Sequence, residues 1–238
     1  MATIQSEQTL TGSLEKEMAR LSRRKFLGYA GAGAALTAFL VSCTKQNSDA
    51  GARGADGSVS LGSGDAGILN YAYALEQLEA AFYVKVLTTP YGNISALETA
   101  MLSDIRDHEI AHREFFKNAL TALGAAIPVL EFDFTSIDFT SRTSVLGTSK
   151  AFEDLGVSAY NGAGHLIKSA DYLVLAGKIV SVEARHASYI RDLISMNSFA
   201  DDSIIDANGL DVSNPPSVVL PIAQKYIKTI LDGSSLPV

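Results

Sequence analysis

A combination of acidic, aromatic and imidazole side chains that occurs twice constrains the fold of this chain more than any other sequence feature. Each copy has a glutamate, a tyrosine seven residues later and, farther along, a glutamate and a histidine three residues apart. The first copy comprises Glu76, Tyr83, Glu109 and His112, and the second comprises Glu153, Tyr160, Glu183 and His186. Seven residues make about two helical turns and three make just under one turn. Each pair therefore predicts one face of an α-helix.

Apolar residues recur at spacings of three and four along four long segments, which predicts four helices. These are expected at about 68–89, 95–124, 149–167 and 172–196. Ser95 and Glu98 form a capping-box pattern, Asp171 is the expected N-cap of the fourth helix, and the "NGAG" at 161–164 is expected to kink or end the third. Two short links and one long link, 125–147, predict two antiparallel hairpins joined by a crossover. A short helix is expected over "IAQKYIKTIL" in the tail.

In each half, the midpoint between the two repeated glutamates falls at or beside the predicted turn of the hairpin. Both glutamates of a hairpin are therefore expected at the same height, because rise per residue is constant. Packing the hairpins together gathers four carboxylates and two imidazoles inside the bundle. Isolated buried carboxylates cost several kcal/mol, whereas two divalent cations would neutralise four of them.

The donor atoms favour iron or manganese, with zinc as an alternative. The expected metal ligands are Glu76, Glu109, His112, Glu153, Glu183 and His186, with two glutamates bridging the ions. Tyr83 and Tyr160 are expected to donate hydrogen bonds to carboxylates and to act in catalysis. The alternative is that the acids are solvated and that the Glu–His pairs are ordinary surface contacts. Glu79 is a rival ligand without a matching tyrosine, and His108 is expected at the surface.

These residues resemble the di-metal carboxylate set of the ferritin-like superfamily. The stretches "LEQLEAAFY", "FEDLGVSAY" and "VEARHASYIRDL" are similar to exported ferritin-like domain proteins related to plant desiccation-related proteins. The resemblance covers about residues 68–197. It implies an all-α, ferritin-like four-helix bundle with a dinuclear metal site, rather than a particular reaction.

The first residues of the chain have the composition of an export signal. Arg23 and Arg24 precede an apolar run at 26–41 and resemble a twin-arginine signal, and "LVSC" ending at Cys43 resembles a lipobox. A core helix or an uncleaved anchor is the alternative. Residues 44–66 are rich in Gly, Ser, Asp and Ala, which indicates a flexible tether outside the fold. The expected organisation is a signal segment at 1–43, a tether at 44–66 and a ferritin-like domain at 67–238.

The expected function is redox chemistry at two divalent ions, iron first and manganese second, in stress protection. The reaction would be of the ferroxidase or peroxidase/catalase type, with dioxygen or peroxide as the small oxidant. A net charge of −7 argues against nucleic acid. Export is expected to lead to the periplasm or to a membrane anchor through lipidated Cys43. Assembly into a homo-oligomer is left open by the sequence. The alternative is a non-catalytic envelope or stress-protective protein whose metal site is structural or absent; a storage cage ranks last.

Overall fold

A computed structural model describes residues 50–238 of the chain. The expectations for the signal segment at 1–43, for Cys43 and for the start of the tether lie outside the described residues. The elements are β1 (Val59–Ser60), α1 (Gly64–Thr88), α2 (Ala96–Ala122), α3 (Arg142–Gly164), α4 (Ala170–Ile194), α5 (Pro216–Ala223), a 3₁₀ turn (Gln224–Tyr226) and β2 (Leu231–Asp232). The expected all-α four-helix bundle with a short C-terminal helix is confirmed.

The bundle consists of two hairpins. Helix α1 packs along α2, α3 packs along α4, and the hairpins meet where α1 lies against α3. Helix α1 is the central element, since every residue from Gly67 to Ala80 is buried. A helix that is buried on all sides belongs in the interior of a domain.

Two buried polar side chains of α1 hold the long crossover between the hairpins. Asn70 donates to the carbonyl of Ala125 at 2.8 Å and accepts from the backbone of Ile127 at 3.1 Å. Gln77 accepts from the backbone of Leu130 at 2.9 Å. Because buried backbone groups need hydrogen-bond partners, these amides fix the path of a segment that has little regular structure.

Serine side chains cap the N-termini of three of the bundle helices. Ser95 and Glu98 form the expected capping box at the start of α2. Ser169 caps α4, so the expected N-cap at Asp171 is wrong by two residues, and Asp171 lies in the first turn. Ser141 caps α3, which therefore begins seven residues earlier than expected. The "NGAG" stretch forms the last turn of α3, so it ends that helix instead of kinking it.

The expectation of a flexible tether is wrong from residue 50 onwards. Strand β1 pairs in parallel with β2, with Val59 opposite Leu231. The side chains of Val59 and Leu61 are fully buried in the core. The glycine-rich composition serves tight turns here: Gly62 has a φ of 82°, and a Cβ at that position would lie 2.8 Å from the Ala50 side chain. This segment belongs to the domain.

The tail also differs from its expected structure. Its helix begins at Pro216, since Pro is favoured in the first turn of a helix. The helix ends at Ala223. The side chain of Gln224 donates to the carbonyl groups of Ile227 and Thr229, which turns the chain into an extended run that ends in β2. Within residues 50–238, no helix is long and apolar enough to span a lipid bilayer.

Candidate metal centre

The four bundle helices each contribute to one buried cluster of glutamates and histidines, called here the Glu/His cluster. Its members are Glu76 on α1, Glu109 and His112 on α2, Glu153 on α3, and Glu183 and His186 on α4. All four glutamates are 0 % exposed, and His186 is 5 % exposed. The structure therefore brings all six expected ligands together in the interior of the bundle.

The cluster divides into two overlapping groups, each with four ligand atoms within 4.8 Å of one another. The first ligand group is Glu76, Glu109, His112 and Glu183, and the second ligand group is Glu109, Glu153, Glu183 and His186. Glu109 and Glu183 belong to both groups. Each remaining glutamate is paired with one histidine, so the two groups share two carboxylates and differ in one Glu–His pair.

The histidines face the carboxylates through Nδ1. The Nδ1 atom of His112 lies 2.9 Å from Oε1 of Glu183 and 3.4 Å from Oε2 of Glu76. The Nδ1 atom of His186 lies 2.8 Å from Oε1 of Glu109 and 3.4 Å from Oε2 of Glu153. Two atoms that bind one ion at about 2.1 Å in perpendicular directions are about 3 Å apart. The separations of 2.8–3.4 Å are therefore compatible with neighbouring ligands of one ion.

The hydrogen-bond pattern of the cluster fits a metal centre. Ten buried side-chain N and O atoms among the described residues have no hydrogen-bond partner. Two are the hydroxyls of Tyr71 and Tyr91, and the other eight all belong to the Glu/His cluster, where the short Nδ1–carboxylate contacts do not have the geometry of hydrogen bonds. Buried polar atoms are nearly always satisfied, so a concentration of such atoms around one point fits a site for an electropositive ligand. Carboxylate oxygen and imidazole nitrogen are suitable ligands for iron, manganese or zinc.

The two tyrosines of the repeat hydrogen-bond across the hairpin interface. Tyr83 on α1 donates to Oε1 of Glu153 on α3 at 2.5 Å. Tyr160 on α3 donates to Oε1 of Glu76 on α1. Each tyrosine thus serves the glutamate of the other hairpin, and Oε2 of each glutamate faces the centre. A fixed hydrogen bond on one oxygen orients the other oxygen for metal binding.

The pKa values show how strongly the carboxylates interact. Burial raises the pKa of Glu76 to about 7, although His112 opposes the shift. Burial and the repulsion of Glu109 raise the pKa of Glu183 well above its usual value. Burial by itself would raise the pKa of Glu109, but the close approach of His112 and His186 outweighs it and lowers the pKa to about 2.

The imidazoles experience the opposite effect. Burial by itself would lower the pKa of His186, but the nearby carboxylates of Glu153 and Glu109 raise it to about 11. The pKa of His112 is likewise raised, because Glu76 and its neighbours outweigh the effect of burial. Positive charge at the centre is therefore strongly favoured, which is the electrostatic requirement of a cation site.

The comparison with known protein families agrees with this geometry. A family profile described as the ferritin-like domain matches residues 64–196, which is more than half of the chain. The chain belongs to the ferritin-like domain family. The match begins at the first residue of α1 and ends just after α4, so it covers the whole Glu/His cluster. A search of curated proteins finds no match to this ferritin-like chain.

Two further residues lie close to the Glu/His cluster of this ferritin-like domain, although the sequence did not predict their positions. Glu79 is 4 % exposed and makes no hydrogen bond or ion pair within the part of the chain that the structure describes. A Cβ built on Gly156 would lie 3.0 Å from Oε1 of Glu79 and 3.6 Å from Oε2 of Glu183. Gly156 stands three residues after Glu153, as Glu79 stands three residues after Glu76. The absent side chain of Gly156 thus leaves the room that Glu79 occupies.

The second residue is His108, whose Nδ1 lies 2.9 Å from Nε2 of His186. The side chain is exposed as expected, but it contacts a member of the cluster. The sign of this contact in the sequence is the position of His108 next to Glu109, about a quarter turn away around the helix. His165 is exposed at the C-terminal end of α3, outside the cluster.

Proposed function

We propose that this ferritin-like protein is an exported metalloprotein that binds two divalent ions, iron first and manganese as the alternative. We further propose that it oxidises ferrous iron or consumes peroxide in stress protection. The export and the lipid anchor at Cys43 rest on the sequence of 1–43, and the kinship to desiccation-related proteins rests on the stretches "LEQLEAAFY", "FEDLGVSAY" and "VEARHASYIRDL". A pair of ferrous ions at the centre would supply two electrons to hydrogen peroxide, whose O–O bond breaks to give two hydroxide ions.

The observation that carries the proposal is the set of eight buried N and O atoms without hydrogen-bond partners, all on the Glu/His cluster. Two imidazolium groups cannot balance four carboxylates, and without further positive charge the pKa values of Glu183 and of the neighbouring Glu79 are raised well above the usual range. Two divalent ions supply the positive charge that the protein lacks. Burying unbalanced acids costs several kcal/mol, so a fold that retains them is best explained by a bound ligand of high charge.

The chain's own residues have separable tasks at such a centre. Glu109 and Glu183 hold the two positions together because each belongs to both ligand groups. Tyr83 and Tyr160 orient Glu153 and Glu76 and retain hydroxyl protons, since burial and the adjacent carboxylates raise their pKa values well above the usual range. The fully buried carboxylates exclude bulk water. The imidazoles must release protons when the ions bind.

The test uses the full chain, loaded separately with Fe²⁺ and with Mn²⁺. Elemental analysis should give about two ions per chain, and the iron form should consume peroxide while its near-ultraviolet ferric absorption rises. The Glu76→Ala/Glu153→Ala double variant should lose both the metal and the reaction. A wild-type chain that takes up neither metal would contradict the proposal.

A structural metal site is the second candidate, favoured by the complete burial of the four carboxylates. Structural sites are closed, whereas catalytic sites keep an open position. In that case the protein would retain two ions and resist unfolding when they are bound, yet neither peroxide nor dioxygen would be consumed. Retained metal without turnover selects this candidate over redox chemistry.

A further inference from the structure

His108 and His186 form a contact that links the interior of the bundle to its surface. The Nδ1 atom of His108 lies 2.9 Å from Nε2 of His186, and the two rings are stacked with an interplanar angle of 7°. His186 is buried and His108 is exposed. The inner nitrogen of His186, Nδ1, faces Glu109 and Glu153. Both nitrogens of this one ring therefore have defined neighbours, carboxylates at Nδ1 and His108 at Nε2.

The other histidine of the cluster has no such neighbour. By the internal repeat, His112 corresponds to His186 and Glu109 to Glu183, so the counterpart of His108 is Val182. A valine side chain cannot accept a hydrogen bond. Within residues 50–238, Nε2 of His112 makes no hydrogen bond, and its side chain is 12 % exposed. The internal two-fold symmetry of the site is broken at this pair of positions.

The chemistry of imidazole gives this asymmetry a consequence. A neutral imidazole that binds a metal through Nδ1 carries its hydrogen on Nε2. That hydrogen points to Nδ1 of His108, which can accept it when the hydrogen of His108 lies on Nε2. Such an outer hydrogen bond fixes the tautomer and the orientation of a ligating histidine, and its loss typically costs ten- to a hundredfold in metal affinity.

We infer that His108 is a positioning residue for His186 and that it makes the two metal positions unequal. The inference rests on the proposed metal-binding function. His108 accepts the Nε2–H hydrogen bond of His186, and the ion held by Glu153 and His186 leaves more slowly than the ion held by Glu76 and His112. The position at Glu76 and His112 therefore exchanges its ion faster, and the position at Glu153 and His186 exchanges its ion more slowly.

The experiment uses the full chain loaded with Zn²⁺ alone and diluted into excess chelating dye. Wild-type protein should release zinc in two phases, which Glu76→Gln and Glu153→Gln assign to the two positions. The His108→Ala variant should release the slower ion about ten times faster or more, with little change in the other ion. The His108→Asn variant, which keeps an acceptor near Nδ1, should retain most of the slow phase. His165→Ala, an exposed histidine away from the cluster, is the matched control.

A second readout does not depend on release rates. In the ¹⁵N NMR spectrum of the zinc-loaded wild type, His186 should be metal-bound at Nδ1 and protonated at Nε2. A coupling across the hydrogen bond to Nδ1 of His108 should be visible. Zinc on Nε2, or equal release rates in wild type and His108→Ala, would overturn the role of His108 while leaving the metal site intact. Failure of the wild type to bind zinc would instead overturn the proposed function, and this inference with it.

Discussion

Tyr83 donates its hydroxyl hydrogen to Glu153 at 2.5 Å, so a residue of the first hairpin orients a glutamate of the second. Tyr160 and Glu76 form the reciprocal pair. Each tyrosine lies two turns from a glutamate on its own helix, yet it bonds to the glutamate of the facing helix. The two hydrogen bonds therefore couple the packing of α1 against α3 to the orientation of two metal-facing carboxylates.

We expect Tyr83→Phe to weaken both stability and metal binding. The substitution leaves Oε1 of Glu153 buried without a donor, which costs about 1–3 kcal/mol, and metal affinity should fall about tenfold or more. Urea unfolding and competition with a chelator measure the two effects. Tyr189→Phe is the control, because the hydroxyl of Tyr189 makes no hydrogen bond within the described chain. Equal effects of both variants would show that the Tyr83–Glu153 bond has no special role.

The two ligand groups predict different stoichiometries for different glutamates. Glu109→Ala should reduce binding at both positions, because Glu109 belongs to both groups. Glu76→Ala should leave about one ion per chain, since Glu76 belongs to the first group alone. Elemental analysis after desalting distinguishes the outcomes, with Glu114→Ala on the surface of α2 as the control. Identical losses in Glu109→Ala and Glu76→Ala would argue against shared bridging ligands.

Glu79 should make the metal-free protein less stable as pH rises. Burial, followed by the repulsion of Glu109 and Glu183, raises the pKa of Glu79 well above the usual 4.5. Above about pH 4.5 the unfolded chain ionises this group while the folded chain still binds the proton, so the free energy of unfolding falls with increasing pH. Glu79→Gln removes this loss. Its stability advantage over wild type should be small near pH 4 and grow towards neutrality.

Urea unfolding of metal-free wild type and Glu79→Gln across this pH range checks the prediction. Glu131→Gln, at an exposed glutamate, controls for the general effect of removing one acid. A constant difference between wild type and Glu79→Gln at all pH values would show that Glu79 ionises equally in the folded and unfolded chains.

Two glycines of α3 should respond to alanine in opposite directions. A Cβ on Gly162 would lie 1.8 Å from the carbonyl oxygen of Asn214, so the segment after α4 would have to move. Overpacking of this kind costs about 1–3 kcal/mol. A Cβ on Gly147 meets nothing within 4 Å, and Gly147→Ala should stabilise by about 0.5–1 kcal/mol. Thermal unfolding of both variants measures the difference, and a similar response of both would contradict this packing.

The composition of the Glu/His cluster could be read from the sequence because helical geometry is local. The spacing between Glu109 and His112 determines that they share a face, and the position of the turn determines that Glu76 is level with them. The Ser95–Glu98 capping box is local in the same way. The segment at 50–66 was misjudged because its burial depends on β2, which lies about 170 residues away in the chain. Composition alone carries no information about such a partner.

The sequence by itself determined which side chains could meet: four glutamates, two histidines and two tyrosines, each on a defined face and at a defined height of a helix. Only the tertiary structure decided how the helices face one another sideways. This sideways packing determined that each tyrosine bonds to the glutamate of the facing helix, that Glu79 fits beside Gly156 and that His108 contacts His186. The physical reason is that rise and turn are set by backbone hydrogen bonds within one helix. The rotation and spacing of neighbouring helices come from the packing of all their side chains at once.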